Sequence, residues 1–274
     1  MTVVLNEQLK RLRLSGVLDT FEVRLTQARE NALSHTEWLT LLLQDEIQRR
    51  EGQTLAERFK RAKFEQEKTF EGYEMGRYPL PVQHLIRDLM TGHYLKENQH
   101  ILIVGPTGTG KTHLAQALGH QACRQGNQVR FIRATVLLRE LYASRADQTW
   151  NKAIKKFISP ELLIIDDFGL STLSFTQAED LYELITQRHL NSSIILTSNR
   201  KVEAWVELFP DPAMGNAVVD RISNQSYHIV LEGESYRRKM SPKWPKQETN
   251  PTAKEPSMAV ETRQNSDDPA KNAG

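Results

Sequence analysis

The residues from Gly105 to Thr112 have the composition of a loop that wraps phosphate groups. They read GPTGTGKT, which fits the pattern of a glycine, four variable residues and then Gly-Lys-Ser/Thr. The glycines let the backbone turn tightly. Lys111 would add charge at the β- and γ-phosphates, and the Thr112 hydroxyl would reach a magnesium ion. The chemistry predicted from this loop is the binding of ATP together with Mg²⁺.

The neighbours of this loop make the pattern specific. An apolar run, Ile101–Val104, precedes it, and a helical pattern follows from Gly110 to Arg124. A strand before the loop and a helix after it give the geometry in which backbone N–H groups point at phosphates. We expect the nucleotide to contact Gly105, Pro106, Thr107, Gly108, Thr109, Gly110, Lys111, Thr112 and His113.

Polar residues also end two later apolar runs. The segment LLIIDD ends at Asp167 and predicts a buried strand with two carboxylates at its C-terminal end, where ligands bind in open α/β sheets. Adjacent strand residues point to opposite faces, so we expect Asp166 to hold Mg²⁺ through water and Asp167 to polarise the attacking water. Asn199 ends the run IILTSN, and it is placed to touch the γ-phosphate or to orient that water.

Strands and helices alternate through residues 98–240. This alternation predicts an α/β fold in which a mostly parallel sheet is covered by helices on both sides. Residues 71–97, which begin with a Gly- and Pro-rich stretch, read as a connector and an entry helix. The predicted strands are Ile101–Val104, Val129–Ile132, Leu162–Ile165, Ser193–Leu196 and Tyr227–Val230.

The two ends of the chain differ from this middle segment. Residues 1–70 have apolar residues at helical spacing and no strand pattern, so they predict a small helical domain. Ser34 and Glu37 form a capping box at the start of one of its helices. Residues 241–274 lack large apolar side chains and predict a disordered tail. The apolar face expected after the capping box comprises Trp38, Leu39, Leu42, Leu43 and Ile47.

Composition excludes several classes of protein. A net charge of +2 over 274 residues means that any contact with nucleic acid must come from local patches. The single cysteine, Cys123, excludes an intramolecular disulfide and a multi-cysteine metal site, and its helical context predicts a small buried side chain. The apolar runs are too short to span a bilayer, and the N-terminus lacks the features of a signal peptide. We therefore expect a cytoplasmic protein without a membrane partner.

Several motifs, taken in order, resemble the IstB family. They are GPTGTGKTHLAQAL, LLIIDDFG, IILTSN, the segment Asp220-Arg-Ile and the segment Gly233-Glu-Ser-Tyr-Arg, and the opening LNEQLKRLRLSGVLDTFE is also similar. Members of that family are AAA+ ATPases that assist the transposase of an insertion sequence, and they are related to DnaC and DnaA. The resemblance implies an AAA+ type P-loop fold, a small all-helical N-terminal domain and ATP hydrolysis.

The resemblance also implies roles for single residues. Asn199 matches the first sensor residue, Arg221 matches the arginine finger that reaches a neighbour's γ-phosphate, and Arg237 matches the second sensor arginine that contacts the nucleotide. A surface salt bridge is the plain alternative for each arginine, and Arg188 is an alternative finger. Asp167 stands where AAA+ enzymes commonly have Glu, so weak basal turnover is expected. The implied catalytic residues are Lys111, Asp167, Asn199 and Arg221.

The partners implied by the resemblance are duplex DNA, a transposase and further copies of the chain. DNA would be bound largely without sequence preference, and the ATP site would lie at a subunit interface of a homo-oligomer. Two basic clusters are candidates for phosphate contact. Acidic neighbours reduce the positive charge around both clusters, and the sequence does not favour one cluster over the other. The clusters are Arg58, Lys60, Arg61 and Lys63 and, on a later helical stretch, Lys152, Lys155 and Lys156.

Two other functions are compatible with the same loop. A helicase loader like DnaC would share the ATPase core and differ in the N-terminal region that docks its client. Residues 1–33 resemble the transposition branch more closely. A metabolic kinase would need an acceptor-binding lid and a catalytic acid near a substrate pocket, and the sequence has no recognisable segment of this kind.

Overall fold

The computed structural model describes residues 2–236. Arg237 and the predicted tail, 241–274, lie outside these described residues. Within the described part of the chain, no helix is both long enough and apolar enough to cross a membrane.

The N-terminal helices pack around a small core of their own. Helix α3 begins after Ser34, whose side chain accepts the Glu37 N–H while the Glu37 carboxylate accepts the Ser34 N–H, so the predicted capping box is present. Phe21 of α2 and Leu42 of α3 are buried in the same core, and the Phe21 ring packs edge-on against Trp38 of α3. The helices of this region are α1 Val3–Arg11, α2 Ser15–Glu30 and α3 His35–Ala62.

The predicted apolar face of α3 is only partly correct. Leu42 is buried, but Leu39 is 52% exposed, Leu43 is 47% exposed and Ile47 is 54% exposed. These three residues follow one another at four-residue spacing, so they form a second stripe that points away from α2. Periodicity finds apolar stripes on a helix, but it does not say which stripe has a partner.

The sheet has five parallel strands in the order β2-β3-β4-β1-β5. Alternate residues of the central strands face opposite layers, so that Ile101 packs in one core and Leu102 in the other. Burial on both faces explains why these strands are continuous apolar runs. The bounds are β1 His100–Val104, β2 Val129–Arg133, β3 Leu162–Phe168, β4 Ser193–Ser198 and β5 Ser226–Val230.

Helices cover both faces of the sheet, as predicted. Residues of α4, α6 and the end of α3 pack on one face, and residues of α7 to α10 pack on the other. Trp205, in a 3₁₀ turn, is buried in the second layer. The remaining helices are α4 Leu80–Met90, α5 His93–Lys96, α6 Lys111–Arg124, α7 Ala134–Ala146, α8 Trp150–Ile158, α9 Phe175–Arg188 and α10 Pro212–Ser223.

Arg188 is a structural residue, so the alternative assignment of Arg188 as an arginine finger is wrong. Its side chain is fully buried, and its guanidinium donates to the carbonyl oxygens of Phe157 at 2.7 Å and Ser193 at 2.6 Å. Further acceptors are the carbonyls of Ile158, Pro160 and Glu161. Burial lowers the pKa of Arg188 to about 9. A guanidinium enclosed in this way cannot extend to a neighbouring subunit.

Replacing Arg188 by methionine should destabilise the protein strongly. The apolar side chain fills much of the volume but leaves buried carbonyls without donors, so we expect a loss of roughly 3 kcal/mol or more in the free energy of unfolding. Arg139→Met, at an exposed position of α7, is the matched control and should change it by less than about 0.5 kcal/mol. Urea denaturation measures both, and equal stabilities would contradict this assignment.

Candidate nucleotide-binding site

The phosphate loop connects the end of β1 to the start of α6 at the carboxyl edge of the sheet. Two of its glycines are required by close contacts with the chain that follows β5. A Cβ atom at Gly105 would collide with the Leu231 carbonyl oxygen, and one at Gly108, where φ is +86°, would collide with the Ser235 side chain. The loop is therefore held between β1 and the chain that follows β5.

Lys111 lies at the centre of this loop and is almost fully buried. Its ammonium group donates to the carbonyl oxygens of Gly105 and Pro106, each at 2.8 Å. These bonds hold Nζ inside the curve of the loop, where the phosphates of a nucleotide would lie. The side chain is thus positioned before any ligand binds.

Asp166 is buried beneath the loop and is held by a hydroxyl group. Thr197 donates to its Oδ1 atom at 2.6 Å, and the Thr112 hydroxyl lies near the carboxylate. Burial raises the pKa of Asp166, and the nearby Asp167 charge raises it further, whereas both hydroxyl groups lower it. Hydroxyl and carboxylate oxygens are the ligands that Mg²⁺ prefers, so Thr112 and Asp166 fit the predicted metal site.

The described residues contain no cluster of three or more His, Cys, Asp or Glu side chains that could hold a metal ion. A magnesium ion next to Thr112 and Asp166 would therefore complete its coordination with phosphate oxygens and water, as is usual for this ion.

A bulge in β3 separates the two aspartates. Between Ile165 and Phe168, β3 has one more residue than the paired segment of β4, and Asp167 has a φ of +56°. The Asp167 N–H donates to the Thr197 hydroxyl at 2.9 Å, which fixes this left-handed conformation. Bulges re-aim side chains near functional sites. Here the bulge lets Asp166 remain buried while Asp167 lines the cleft above.

The cleft at this edge of the sheet has a volume of about 350 Å³. Its walls include several of the predicted site residues, which come from the ends of three neighbouring strands and from the loop itself. Asp166 lies below the cleft and reaches it through Thr112. The predicted residues that line the cleft are Thr107, Gly108, Gly110, Lys111, Thr112, His113, Asp167 and Asn199.

Arg221 is not part of this cleft wall. It lies near the end of α10, half-buried, with its guanidinium 5.1 Å from the centre of the Tyr182 ring and donating to the Ala217 carbonyl at 2.9 Å. Arg221 therefore does not contact the nucleotide cleft of its own subunit. This placement is compatible with a role in the site of a neighbouring subunit.

The connector contributes a wall that the sequence interpretation missed. The Tyr78 hydroxyl donates to the Thr109 carbonyl at 2.5 Å, and the Tyr73 and Tyr78 rings stack with their centres 5.8 Å apart. His113 packs edge-on against Tyr73 and its ring hydrogen-bonds the Thr69 carbonyl. The aromatic residues of the Gly- and Pro-rich connector are visible in the sequence and could have suggested a binding role. Their contact with the phosphate loop, however, is a property of the folded chain.

The last described residues close the opposite side of the loop. The Tyr236 N–H donates to the Gly108 carbonyl at 2.9 Å. Arg77 lies between the Tyr78 and Tyr236 rings, 5.4 and 5.7 Å from their centres, and donates to the Glu234 carbonyl. Connector and C-terminal segment are therefore clamped together over the phosphate loop. Arg237, the predicted second sensor, follows directly and lies outside the described residues.

Known proteins show which family this chain belongs to. Residues 7–243 match the family model described as IstB-like ATP-binding protein. The chain belongs to this family. An insertion-sequence ATP-binding protein of Mycobacterium tuberculosis is 41% identical, over 87% of this chain and 95% of the relative. The ATP-binding protein of insertion sequence IS21 from Pseudomonas aeruginosa is 30% identical, over 84% of this chain and 87% of the relative.

Solved structures similar to this IstB-like chain confirm the predicted fold, a parallel sheet flanked by helices. The DnaC helicase loader superposes with a TM-score of 0.52 at 24% identity, covering 60% of this chain and 97% of DnaC. DnaA from Aquifex aeolicus in its AMPPCP-bound form gives 0.52 at 23% identity, covering 63% of this chain and 53% of DnaA. At these identities the likeness is one of fold.

Replacing Tyr73 by alanine should weaken ATP binding. Tyr73 is an aromatic residue of the cleft wall, so we expect the adenine ring to pack against it. Stacking of a base on an aromatic ring contributes about 1–3 kcal/mol, so affinity should fall roughly tenfold. Tyr142→Ala, on the exposed face of α7, is the control. Titration with a fluorescent ATP analogue measures both, and an unchanged Kd in the Tyr73 variant would refute the base contact.

Proposed function

We propose that this IstB-like protein is a Mg²⁺-dependent ATPase that assembles on DNA and assists the transposase of an insertion sequence. One observation carries the ATPase part: Lys111, Asp167 and Asn199, from three different segments of the chain, line a single cleft. A cation for the phosphates, a carboxylate for the water and an amide beside them are what phosphoryl transfer to water needs.

The role of each residue follows from its position in the cleft. Lys111 binds and orients the β- and γ-phosphates, and Asp167 accepts a hydrogen bond from the attacking water and polarises it. Asn199 orients the γ-phosphate or the same water. Thr112 and Asp166 hold Mg²⁺, which neutralises charge on the phosphates when it is bound. Because Asp167 has a shorter side chain than Glu, we expect slow turnover without partners.

Arg221 acts across a subunit interface in this proposal. It lies outside the cleft wall of its own subunit, and Tyr182 orients it by stacking. A site completed by a neighbour's arginine couples ATP binding to assembly, because each ATP then favours the contact between two subunits. The resemblance assigns the second sensor role to Arg237, which lies outside the described residues.

The proposed job in transposition rests on the relatives. The proteins of Mycobacterium tuberculosis and Pseudomonas aeruginosa that match along most of this chain are ATP-binding proteins of insertion sequences. DnaC, the helicase loader, matches in fold at lower identity. We therefore place the client among transposases, with DNA bound through its phosphates and with little sequence preference. ATP binding drives assembly on DNA, and hydrolysis releases it.

Mixing two inactive variants tests the shared site. Arg221→Ala lacks the finger and Asp167→Asn lacks the carboxylate, so each alone should lose ATPase activity. Random pairing of equal amounts completes about one interface in four, and the mixture should regain activity in that proportion. Lys111→Ala mixed with Asp167→Asn is the control, since both changes damage the same half-site. If the first mixture recovers no more activity than the control mixture, Arg221 is not the finger.

Thr197→Val tests the positioning of the two aspartates. The change removes the donor to Asp166 and the acceptor for the Asp167 N–H, so kcat should fall on the order of tenfold while KM for ATP changes little. The Thr197 bond lowers the pKa of Asp166. Without it that pKa rises, and the loss of activity on acidification should therefore move to higher pH.

The control for this experiment is Thr197→Ser, which keeps the hydroxyl and should keep the wild-type pH–rate profile. A valine variant with wild-type kcat and profile would show that Thr197 has no part in positioning the aspartates.

A further inference from the structure

A second cleft, of about 500 Å³, lies on the side of the sheet formed by edge strand β2. It is bounded by the C-terminal part of α3, by β2 and by the segment that follows α8. The two basic clusters considered from the sequence meet here, because Arg58, Arg61 and Lys63 of the first and Lys156 of the second line the same cleft. Lys60, Lys152 and Lys155 do not line it.

The cleft has an excess of positive charge after its internal ion pairs are counted. Arg61 pairs with Glu57 at 3.1 Å, and Lys156 pairs with Glu140 at 2.8 Å. Glu57 and Glu140 are the acidic residues of the lining. Among residues 2–236, no carboxylate forms an ion pair with the other cations of the lining. They are Arg58, Lys63 and Arg130.

Arg130 is the strongest indication that this cleft binds an anion. Its guanidinium is half-buried over the Phe157 ring, 5.8 Å from the ring centre, and burial lowers its pKa. Its Nε is buried and has no acceptor within the described part of the chain. That nitrogen itself is closed to solvent, so an external oxygen anion would be bound by the part of Arg130 that lines the cleft, where no carboxylate of the described residues forms an ion pair with it. The planar guanidinium matches phosphate oxygens in particular.

The lining favours the backbone of a nucleic acid over an acidic protein segment. The described lining contains no aromatic side chain on which a base could stack, so single-strand recognition by stacking is not built in. Its apolar residues are Val129 and Pro160, which gives little of the apolar core that protein interfaces have. Thr54 adds a hydroxyl group of the kind that donates to phosphate oxygens.

We infer that the cleft between α3, β2 and α8 binds the phosphate backbone of duplex DNA, with Arg58, Lys63 and Arg130 as the contacting cations. This inference rests on the proposed function in so far as it assumes that the protein binds DNA. It assigns the DNA contact to the cleft where the two basic clusters meet, whereas the sequence did not favour either cluster. It also places DNA against both the last helix of the N-terminal region and the edge of the ATPase sheet.

The test measures binding of a fluorescein-labelled duplex to the full chain, with ATP, over a range of salt concentrations. The double variant Arg58→Ala/Lys63→Ala should bind roughly tenfold more weakly, and its plot of log K against log salt should be shallower by about 1.8, or about 0.9 per lost phosphate contact. Lys152→Ala/Lys155→Ala is the matched control, since it removes two exposed charges from α8 outside the cleft and should leave the slope unchanged.

Arg130→Gln is the second variant and should lower the affinity and the slope in the same direction. Both cleft variants should bind the ATP analogue with wild-type affinity, which shows that they are folded. The loss of DNA affinity should be equal for duplexes of unrelated sequence, because phosphates carry no sequence information.

The outcomes separate this inference from the proposed function. If the wild-type protein binds duplex DNA and both cleft variants keep its affinity and slope, the inference is overturned and an acidic protein segment becomes the partner for the cleft. Equal losses of DNA affinity in the cleft and control double variants also overturn it, since they would indicate that the overall positive charge of the protein, and not this cleft, attracts DNA. If the wild-type protein binds no duplex even at low salt with ATP, the proposed DNA-binding function itself fails.

Discussion

The nucleotide site depends on a carboxylate that is almost completely removed from solvent. Asp166 is 1% exposed, and a buried charge is tolerated only when hydrogen bonds replace its hydration. The Thr197 hydroxyl provides such a bond and ties the end of β4 to β3, and the Thr112 hydroxyl at the start of α6 also favours the charged carboxylate. Because the same Thr197 hydroxyl accepts the Asp167 N–H, one side chain fixes the positions of both acids.

Two segments far apart in the chain converge on the phosphate loop. Tyr78 bonds to Thr109 from the connector, Tyr236 bonds to Gly108 from the C-terminal side, and Arg77 joins these two segments. The loop backbone is therefore held on two sides in addition to β1 and α6. A change in loop conformation when phosphates bind would be felt first by the connector, which leads to α3, and by the residues after β5.

The strands and the fold class were predictable from the sequence because buried parallel strands are continuous apolar runs with helices between them. That Lys111, Thr112, Asp167 and Asn199 share one cleft was predictable because each lies at or beyond the carboxyl end of a strand at the same edge of the sheet. The bulge at Asp167 could not be predicted from the sequence, since it depends on the register of β3 with β4. The structural role of Arg188 could not be predicted, because the carbonyl groups that accept its hydrogen bonds belong to other segments of the chain. The role of Tyr73 could not be predicted either, because the connector meets the phosphate loop only in the folded structure.

Helix α3 is shared by two cores, since Leu42 is buried among the N-terminal helices and Ala62 is buried against the sheet. It continues without interruption for 28 residues, and at 1.5 Å per residue it is about 42 Å long. Such a rod works as a lever. A tilt of ~5° at its base in the ATPase layer would swing the far end, and α1 and α2 with it, by ~4 Å. Small rearrangements at the sheet are thus magnified at the N-terminal end of the molecule.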